Sequence, residues 1–260
     1  MKTRRSLGVG VVLVLLLSGL PAAADWDEGS PAKWLQMPDL SPLGLDVDAT
    51  DPYLLADDFE CTETGPVTFI HLWGSWRNDE LPPGGPDDLR FILSIHADIP
   101  ADQSPTGFSM PGPVLWWREY PAGSFTARPW AEELQEGWME PPEFYLWPGD
   151  TVCWQYNFPI PEADAFVQQG DPTAPVVYWL DVKALPPVDN VAFGWKSSVD
   201  HWNDDATWVM GPEPYQGDWN ELRYPPGHEQ QGQSLDLAFV LQGQPPVDLY
   251  DLGDAPDPTY

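Results

Sequence analysis

The stretch "LRFILSIHA" at positions 89–97 indicates most clearly which kind of fold this chain adopts. Every second residue from Leu89 to Ala97 is apolar, whereas Arg90, Ser94 and His96 occupy intervening positions. Successive side chains of a strand point to opposite faces of a sheet, so this period of two predicts a β-strand and not a helix.

The same alternation recurs in "TVCWQYNF" (151–158), "PVVYWLDVKAL" (175–185) and "SLDLAFVLQG" (234–243). Segments rich in proline and glycine separate these strands, and such segments are typical of turns. Only 130–137 and 162–170 have a composition that favours a helical turn. We therefore predict an all-β, jelly-roll-like β-sandwich of about ten short antiparallel strands, with its inner faces packed by tryptophans.

The first 24 residues predict a signal peptide. A basic start precedes an apolar run from Leu7 to Leu20, and Ala22 and Ala24 form the small-x-small pattern that signal peptidase cleaves. We expect export to the cell surface, the exterior or the periplasm, with no membrane insertion of the mature chain. The remaining chain is predicted to comprise an acidic, turn-rich strap (25–52), the sandwich (53–243), and a linker with the start of a truncated following module (244–260).

The charge of the chain limits its partners. The formal net charge is −30, and it becomes −33 when the three basic residues of the predicted leader are removed. Such a field repels nucleic acids and anionic membranes, and it favours the binding of cations. We expect a monomer whose partners are extracellular polysaccharides or other surface proteins, and no nucleic acid.

The two cysteines, Cys61 and Cys153, are candidates for a disulfide bond in an oxidising compartment. The bridge would close a loop of about 90 residues and contribute roughly 3–5 kcal/mol by restricting the unfolded chain. Both residues lie in strand-like segments, so two buried free thiols are the alternative.

Three aspartates are candidates for a structural calcium site, the one cofactor that we expect. Asp57 and Asp58 are adjacent in a predicted strand, so one of them faces inward, and Asp236 lies inside the last predicted strand. A buried carboxylate must be paired, hydrogen-bonded or bound to a metal. If the first and last strands are neighbours, the three aspartates could share one ion; hydrogen bonds to backbone amides are the alternative.

The stretch "HWNDDATW" (201–208) combines a histidine, an asparagine and two carboxylates between tryptophans. Asparagine and aspartate favour turns, so we predict a connection between two strands that could also contact a ligand. Exposed tryptophans in "HLWGSW" (71–76) could supply flat faces for a sugar. The predicted ligand-binding candidates are therefore Trp73, Trp76, His201, Trp202, Asp204 and Asp205.

Several motifs together resemble a domain of unknown function from secreted, often multidomain proteins of environmental bacteria. They are "LADDFECTETGPVTFIHLWGSW" (55–76), "FILSIHADIPA" (91–101), "PGDTVCWQYNF" (148–158), "HWNDDATW" (201–208), "WNELRYP" (219–225) and "QSLDLAFVLQG" (233–243). The resemblance implies a β-sandwich ectodomain and supplies no catalytic residues. The C-terminal "DLGDAPDPTY" (251–260) similarly resembles the beginning of a separate extracellular module.

The sequence lacks the motifs of well-known hydrolases: no G-x-S-x-G, no H-E-x-x-H and no phosphate-binding glycine loop occur. We therefore predict a secreted, non-catalytic module that acts in recognition, with a glycan as ligand, or in scaffolding. One alternative is a purely structural spacer of a longer surface protein. Another is a glycoside hydrolase or lyase that uses paired carboxylates, since 41 acidic residues provide many pairs.

Overall fold

The computed structural model describes residues 25–243. The predicted signal peptide (1–24) and the predicted linker and module start (244–260) lie outside these residues. Within the described part of the chain, no helix is long and apolar enough to cross a membrane.

The described chain consists of seventeen strands and two short 3₁₀ turns, Arg77–Asp79 and Glu162–Asp164. In chain order the strands are β1 (Trp34–Gln36), β2 (Leu45–Asp48), β3 (Tyr53–Cys61), β4 (Gly65–Val67), β5 (Phe69–Trp76), β6 (Arg90–Ile99), β7 (Met110–Tyr120), β8 (Thr126–Ala131), β9 (Glu136–Glu140), β10 (Phe144–Asp150), β11 (Cys153–Pro159), β12 (Phe166–Gln168), β13 (Val176–Leu185), β14 (Phe193–Lys196), β15 (Thr207–Met210), β16 (Asn220–Glu221) and β17 (Phe239–Gln242).

These strands form two large sheets and one small one. The nine-stranded sheet has the order β1-β17-β5-β14-β2-β9-β10, with β11 pairing β5 and β8 pairing β11. The six-stranded sheet has the order β16-β15-β3-β13-β6-β7, and β4 and β12 pair separately. All named strand pairs in the described chain are antiparallel except β2 with β9. The predicted all-β sandwich is confirmed, although several of its strands have only two to four residues.

The main core lies between the two large sheets. In β6, Phe91, Leu93 and Ile95 enter this core, as their alternation predicts, and Phe59 and Phe239 reach it from β3 and β17. Burial of such side chains is worth about 1.5–3 kcal/mol each, so this layer holds the two sheets together.

The outer face of the nine-stranded sheet is also covered. Trp73 projects outward from β5 and packs against Trp26 and Trp130, with ring centroids 5.7 and 5.4 Å away. Arg128 holds the N-terminal segment in place, since its guanidinium donates to the carbonyl of Trp26 (2.6 Å) and to Asp27 (2.7 Å). Both faces of β5, in the middle of this sheet, are therefore buried.

Two sequence predictions need correction. Residues 25–52 form a strap only in part: Trp26 packs on the outer face of the nine-stranded sheet, whereas β1 pairs with β17 and β2 lies between β14 and β9 inside that sheet. The segment 130–137 contains no helical turn, since β8 and β9 occupy its ends, whereas 162–170 begins with a 3₁₀ turn.

The predicted disulfide is also wrong. Cys61 and Cys153 are both free and buried. Cys61 lies in the main core on β3, whereas Cys153 lies on the outer face of the nine-stranded sheet beside Trp73. A layer of sheet separates the two thiols, so they do not meet.

Candidate functional site

The predicted turn within residues 201–208 is present and joins β14 to β15. Asn203 has a φ of 56°, the left-handed conformation that asparagine tolerates better than most residues. Trp202 is half-buried and packs edge-on against Trp34, with ring centroids 5.0 Å apart. These contacts anchor the connection to the N-terminal strand.

The turn meets the three aspartates that we considered for calcium. Asp57 accepts hydrogen bonds from Gln36 Nε2 (2.9 Å) and from the backbone amides of Leu237 (2.7 Å) and Asp58 (2.9 Å). Oδ2 of Asp58 accepts from Nδ2 of Asn203 at 2.5 Å. Asp57 is therefore satisfied by hydrogen bonds, which was the alternative to calcium. A calcium ion at these three aspartates stays a prediction.

Asp236 completes this acidic group from the other end of the chain. Its Oδ2 accepts from the amide of Trp202 at 2.7 Å, and its Oδ1 lies 3.6 Å from Nδ1 of the exposed His201. Burial raises the pKa of Asp236 to about 6 and that of Asp58 to about 8. Burial and the nearby Asp236 also hold the pKa of Asp57 well above its usual range.

The other ligand-binding candidates lie in different surroundings. Trp73 and Trp76 are both 0% exposed, because they pack on opposite covered faces of β5, so neither offers a face to a sugar. Asp204 accepts a hydrogen bond from Asn203, and Asp205 pairs with Arg223. The structure thus places His201, Trp202 and Asp204 close to the acidic group. It excludes Trp73 and Trp76 as ligand-binding residues, because both are buried.

An open cleft of about 660 Å³ lies directly after this turn. Trp208 of β15 and Arg223, the partner of Asp205, both line it. We call it the Trp208 cleft, and its lining residues are Thr106, Phe108, Met139, Pro142, Glu143, Trp208, Trp219, Asn220, Glu221, Arg223, Tyr224, Pro225 and Pro226. Aromatic and proline surfaces therefore alternate there with carboxylate, amide and guanidinium groups.

A buried histidine, His96, lies on the outer face of the six-stranded sheet. Nδ1 of His96 lies 2.8 Å from the carbonyl of Gly112, and Nε2 lies 2.7 Å from Oδ2 of Asp181. Burial alone would lower the pKa of His96, but its hydrogen bond and charge interaction with Asp181 raise it overall. Ser94 donates to Glu213 (2.5 Å) and not to the histidine, so these residues do not form a serine–histidine relay.

A second buried charge cluster was not predicted from the sequence. It consists of Asp46 (β2), Glu136 (β9), Asp150 (β10) and Lys196 (β14), which are 0–2% exposed. Nζ of Lys196 donates to Oδ2 of Asp46 at 2.9 Å. It also lies 2.5 Å from Oε2 of Glu136, which makes a second ion pair.

The pKa values of this cluster reflect its crowding. Burial, followed by the charge of Asp46, raises the pKa of Asp150 to about 9, and burial raises that of Glu136 to about 7. Burial alone would lower the pKa of Lys196, but the nearby carboxylates raise it overall. The lysine is therefore firmly positive, and it is the cation that the carboxylates share.

The alternation in "LDVD" (45–48) is the one sequence signal that could have found this cluster. Leu45 and Val47 enter the main core, so Asp46 between them must face the other way. That face is buried under Trp138, whose ring lies against Gly194, and this covering could not be anticipated from the local sequence.

The fold and the cleft together define a β-sandwich domain with an open, aromatic-lined groove and a separate buried charge cluster. The chain belongs to the family described as "Domain of unknown function (DUF7901)", which it matches over residues 32–242. This match confirms membership of a function-unknown domain family, and it includes β1 and β2. Neither the curated proteins nor the solved structures give a match.

Proposed function

We propose that this chain is a secreted, non-catalytic recognition module of the bacterial cell surface or exterior, and that it binds a glycan in the Trp208 cleft. The single observation that carries the proposal is the open cleft of about 660 Å³ with mixed aromatic and polar walls. Its volume lies within the range of roughly 300–1,000 Å³ that is common for ligand pockets.

The chemistry of the cleft suits a sugar chain. Trp208 is half-buried: part of its ring packs against Tyr53, with 6.2 Å between the ring centroids, and the rest lines the cleft. No acceptor in residues 25–243 takes its indole N–H, so this donor can also face a ligand. The apolar face of a pyranose packs on such a ring, while its hydroxyls need acceptors and donors such as Glu221 and Arg223.

The net charge narrows the ligand class further. A chain with a formal charge of −30 repels uronic acid polymers and teichoic acids at long range. We therefore expect a neutral polysaccharide, for example a glucan, mannan or xylan, to bind better than an anionic one.

The cleft also favours binding over hydrolysis. A hydrolase needs two carboxylates across the substrate, at least one of them with a raised pKa. The buried carboxylates with clearly raised pKa, such as Asp58 and Asp150, do not line the cleft. A structural spacer needs no cleft at all.

The test is a glycan array, followed by calorimetry on the best ligand, with the chain and two variants. We expect Trp208→Ala to weaken binding at least tenfold, because it removes the stacking surface. Trp117→Ala is the matched control, since Trp117 is 53% exposed on β7 and outside the cleft, and it should bind normally.

Near-UV circular dichroism must verify that Trp208→Ala is folded. If the protein binds neither neutral nor anionic glycans, the proposal is overturned in favour of a structural spacer. An equal loss of affinity in both variants would show that the glycan does not bind in the Trp208 cleft. Shortening of a polysaccharide chain by the protein would establish a hydrolase.

A further inference from the structure

We propose that the buried cluster of Asp46, Glu136 and Asp150 is a binding site for one hard divalent cation, with calcium as the first candidate. One oxygen from each of these three carboxylates lies within 4.8 Å of the chosen oxygens of the other two. Two calcium ligands at 2.3–2.6 Å are at most about 4.6–5.2 Å apart, so the spacing admits the ion without a rearrangement of the strands.

Unpartnered oxygens in the cluster point to a ligand. Neither carboxylate oxygen of Asp150 has a hydrogen-bond partner in the described chain, although the residue is only 2% exposed. Oδ1 of Asp46 and Oε1 of Glu136 are likewise unpartnered, because Lys196 serves the other oxygen of each carboxylate. Buried carboxylate oxygens without donors are rare, and a metal ion is one of the groups that satisfies them.

A neutral group adds an independent observation. The hydroxyl of Ser75, on the adjacent strand β5, is fully buried and also unpartnered. This hydroxyl lies beside Asp46 and Asp150, since its interaction lowers the pKa of each carboxyl group against the larger effect of burial. This hydroxyl and the four unpartnered carboxylate oxygens named above make five possible oxygen ligands. Such a set suits calcium, magnesium or manganese and not a soft metal.

The charges support a divalent ion. A bound metal requires its carboxylate ligands to be ionised, and the three carboxylates with Lys196 would then carry a formal charge of −2, enclosed at 0–2% exposure. One divalent cation would bring the sum to zero. Lys196 does not exclude the ion, because it contacts only Oδ2 of Asp46 and Oε2 of Glu136.

This site is separate from the Trp208 cleft and does not depend on the proposed function. None of its ligands lines the cleft. Its ligands come from β2, β9 and β10, so an ion would tie together the one parallel pair of strands in the described sheets and the edge strand beside it. Its expected role is therefore to stabilise the nine-stranded sheet.

The experiment titrates the full chain, dialysed against a chelator, with calcium chloride in a calorimeter and in thermal denaturation. We expect one calcium ion per chain and a melting temperature that rises with calcium. Asp150→Asn, which keeps the shape of the side chain, should weaken binding at least tenfold. The matched control is Asp204→Asn, which lies in the 201–208 turn beside the acidic group of Asp57, Asp58 and Asp236. This variant should bind calcium like the wild type.

Three results would overturn the inference. The first is the absence of binding when calcium, magnesium and manganese are each tried at millimolar concentration. The second is equal calcium affinity in Asp150→Asn and the wild type. The third is loss of binding in Asp204→Asn alone, which would place the ion with Asp58. If Asp150→Asn fails to fold, Ser75→Ala replaces it, and an unchanged affinity in that variant also overturns the inference.

Discussion

Replacement of Lys196 by methionine removes the cation that two fully buried carboxylates share. The ammonium lies 2.9 Å from Asp46 and 2.5 Å from Glu136, and all three side chains are 0% exposed. Removal of one partner of a buried ion pair costs about 3–5 kcal/mol, because the remaining charge stays buried without compensation. Since Lys196 serves two carboxylates, we expect a loss near the upper end, about 5 kcal/mol.

The assay is urea unfolding in the presence of a chelator, followed by tryptophan fluorescence. With a slope of about 2.5 kcal/mol per molar urea, the loss corresponds to a midpoint lower by roughly 2 M. Lys33→Met is the matched control, because within residues 25–243 its ammonium makes a single long hydrogen bond, 3.5 Å to the carbonyl of Glu63. It should change stability by less than about 0.5 kcal/mol.

A triple variant separates charge from packing. When Lys196→Met is combined with Asp46→Asn and Glu136→Gln, the buried charges disappear together, and we expect much of the lost stability to return. A triple variant that is as unstable as the single one would refute the electrostatic reasoning, as would a loss below about 1 kcal/mol for Lys196→Met.

Three further predictions concern other parts of the structure. Because Asp181 raises the pKa of His96, the stabilisation by protonated His96 is fully present below pH 6.5 and is lost as the pH rises through the folded-state pKa. Urea unfolding at several pH values should show this decline in stability, and His96→Gln should make stability less dependent on pH in this range. Asn203→Gly should lower stability by about 1.5–3 kcal/mol, because the hydrogen bond to the buried carboxyl group of Asp58 is lost. Asn203→Ala should cost about 1 kcal/mol more, because alanine is strained at a positive φ. Equal losses for the two variants in urea unfolding would contradict the role of the positive φ. A thiol reagent should modify neither Cys61 nor Cys153 in the native protein and both in denaturant; an unreactive denatured chain would mean that a disulfide exists.

The sequence predicts the long strands of this fold well. The alternation in β6 and β13 reports directly which residues enter the core, because one face packs between the sheets. Strands of two to four residues, such as β14 and β16, are too short for a reliable periodic signal. They exist because the neighbouring strands pair with them, and that information is not local.

The candidate site was predictable only in part. The turn at Asn203 follows from residue type, since asparagine favours this conformation. Trp73 is a predicted ligand-binding candidate because of its residue type, but a remote N-terminal segment covers the face of the sheet on which it lies. The charge cluster depends on Asp46 meeting Lys196, 150 residues further along the chain, and no local pattern carries such a contact.

The tryptophan packing on the outer face of the nine-stranded sheet has an optical consequence. The indoles of Trp26, Trp73 and Trp130 are separated by only 5.4–6.3 Å between ring centroids, and two of the three pairs are nearly perpendicular. Chromophores this close couple their electronic transitions and produce a paired positive and negative band in circular dichroism. Because Trp26 belongs to the N-terminal segment and Trp73 to β5, this band reports when that segment docks on the sheet, independently of the fluorescence of the whole protein.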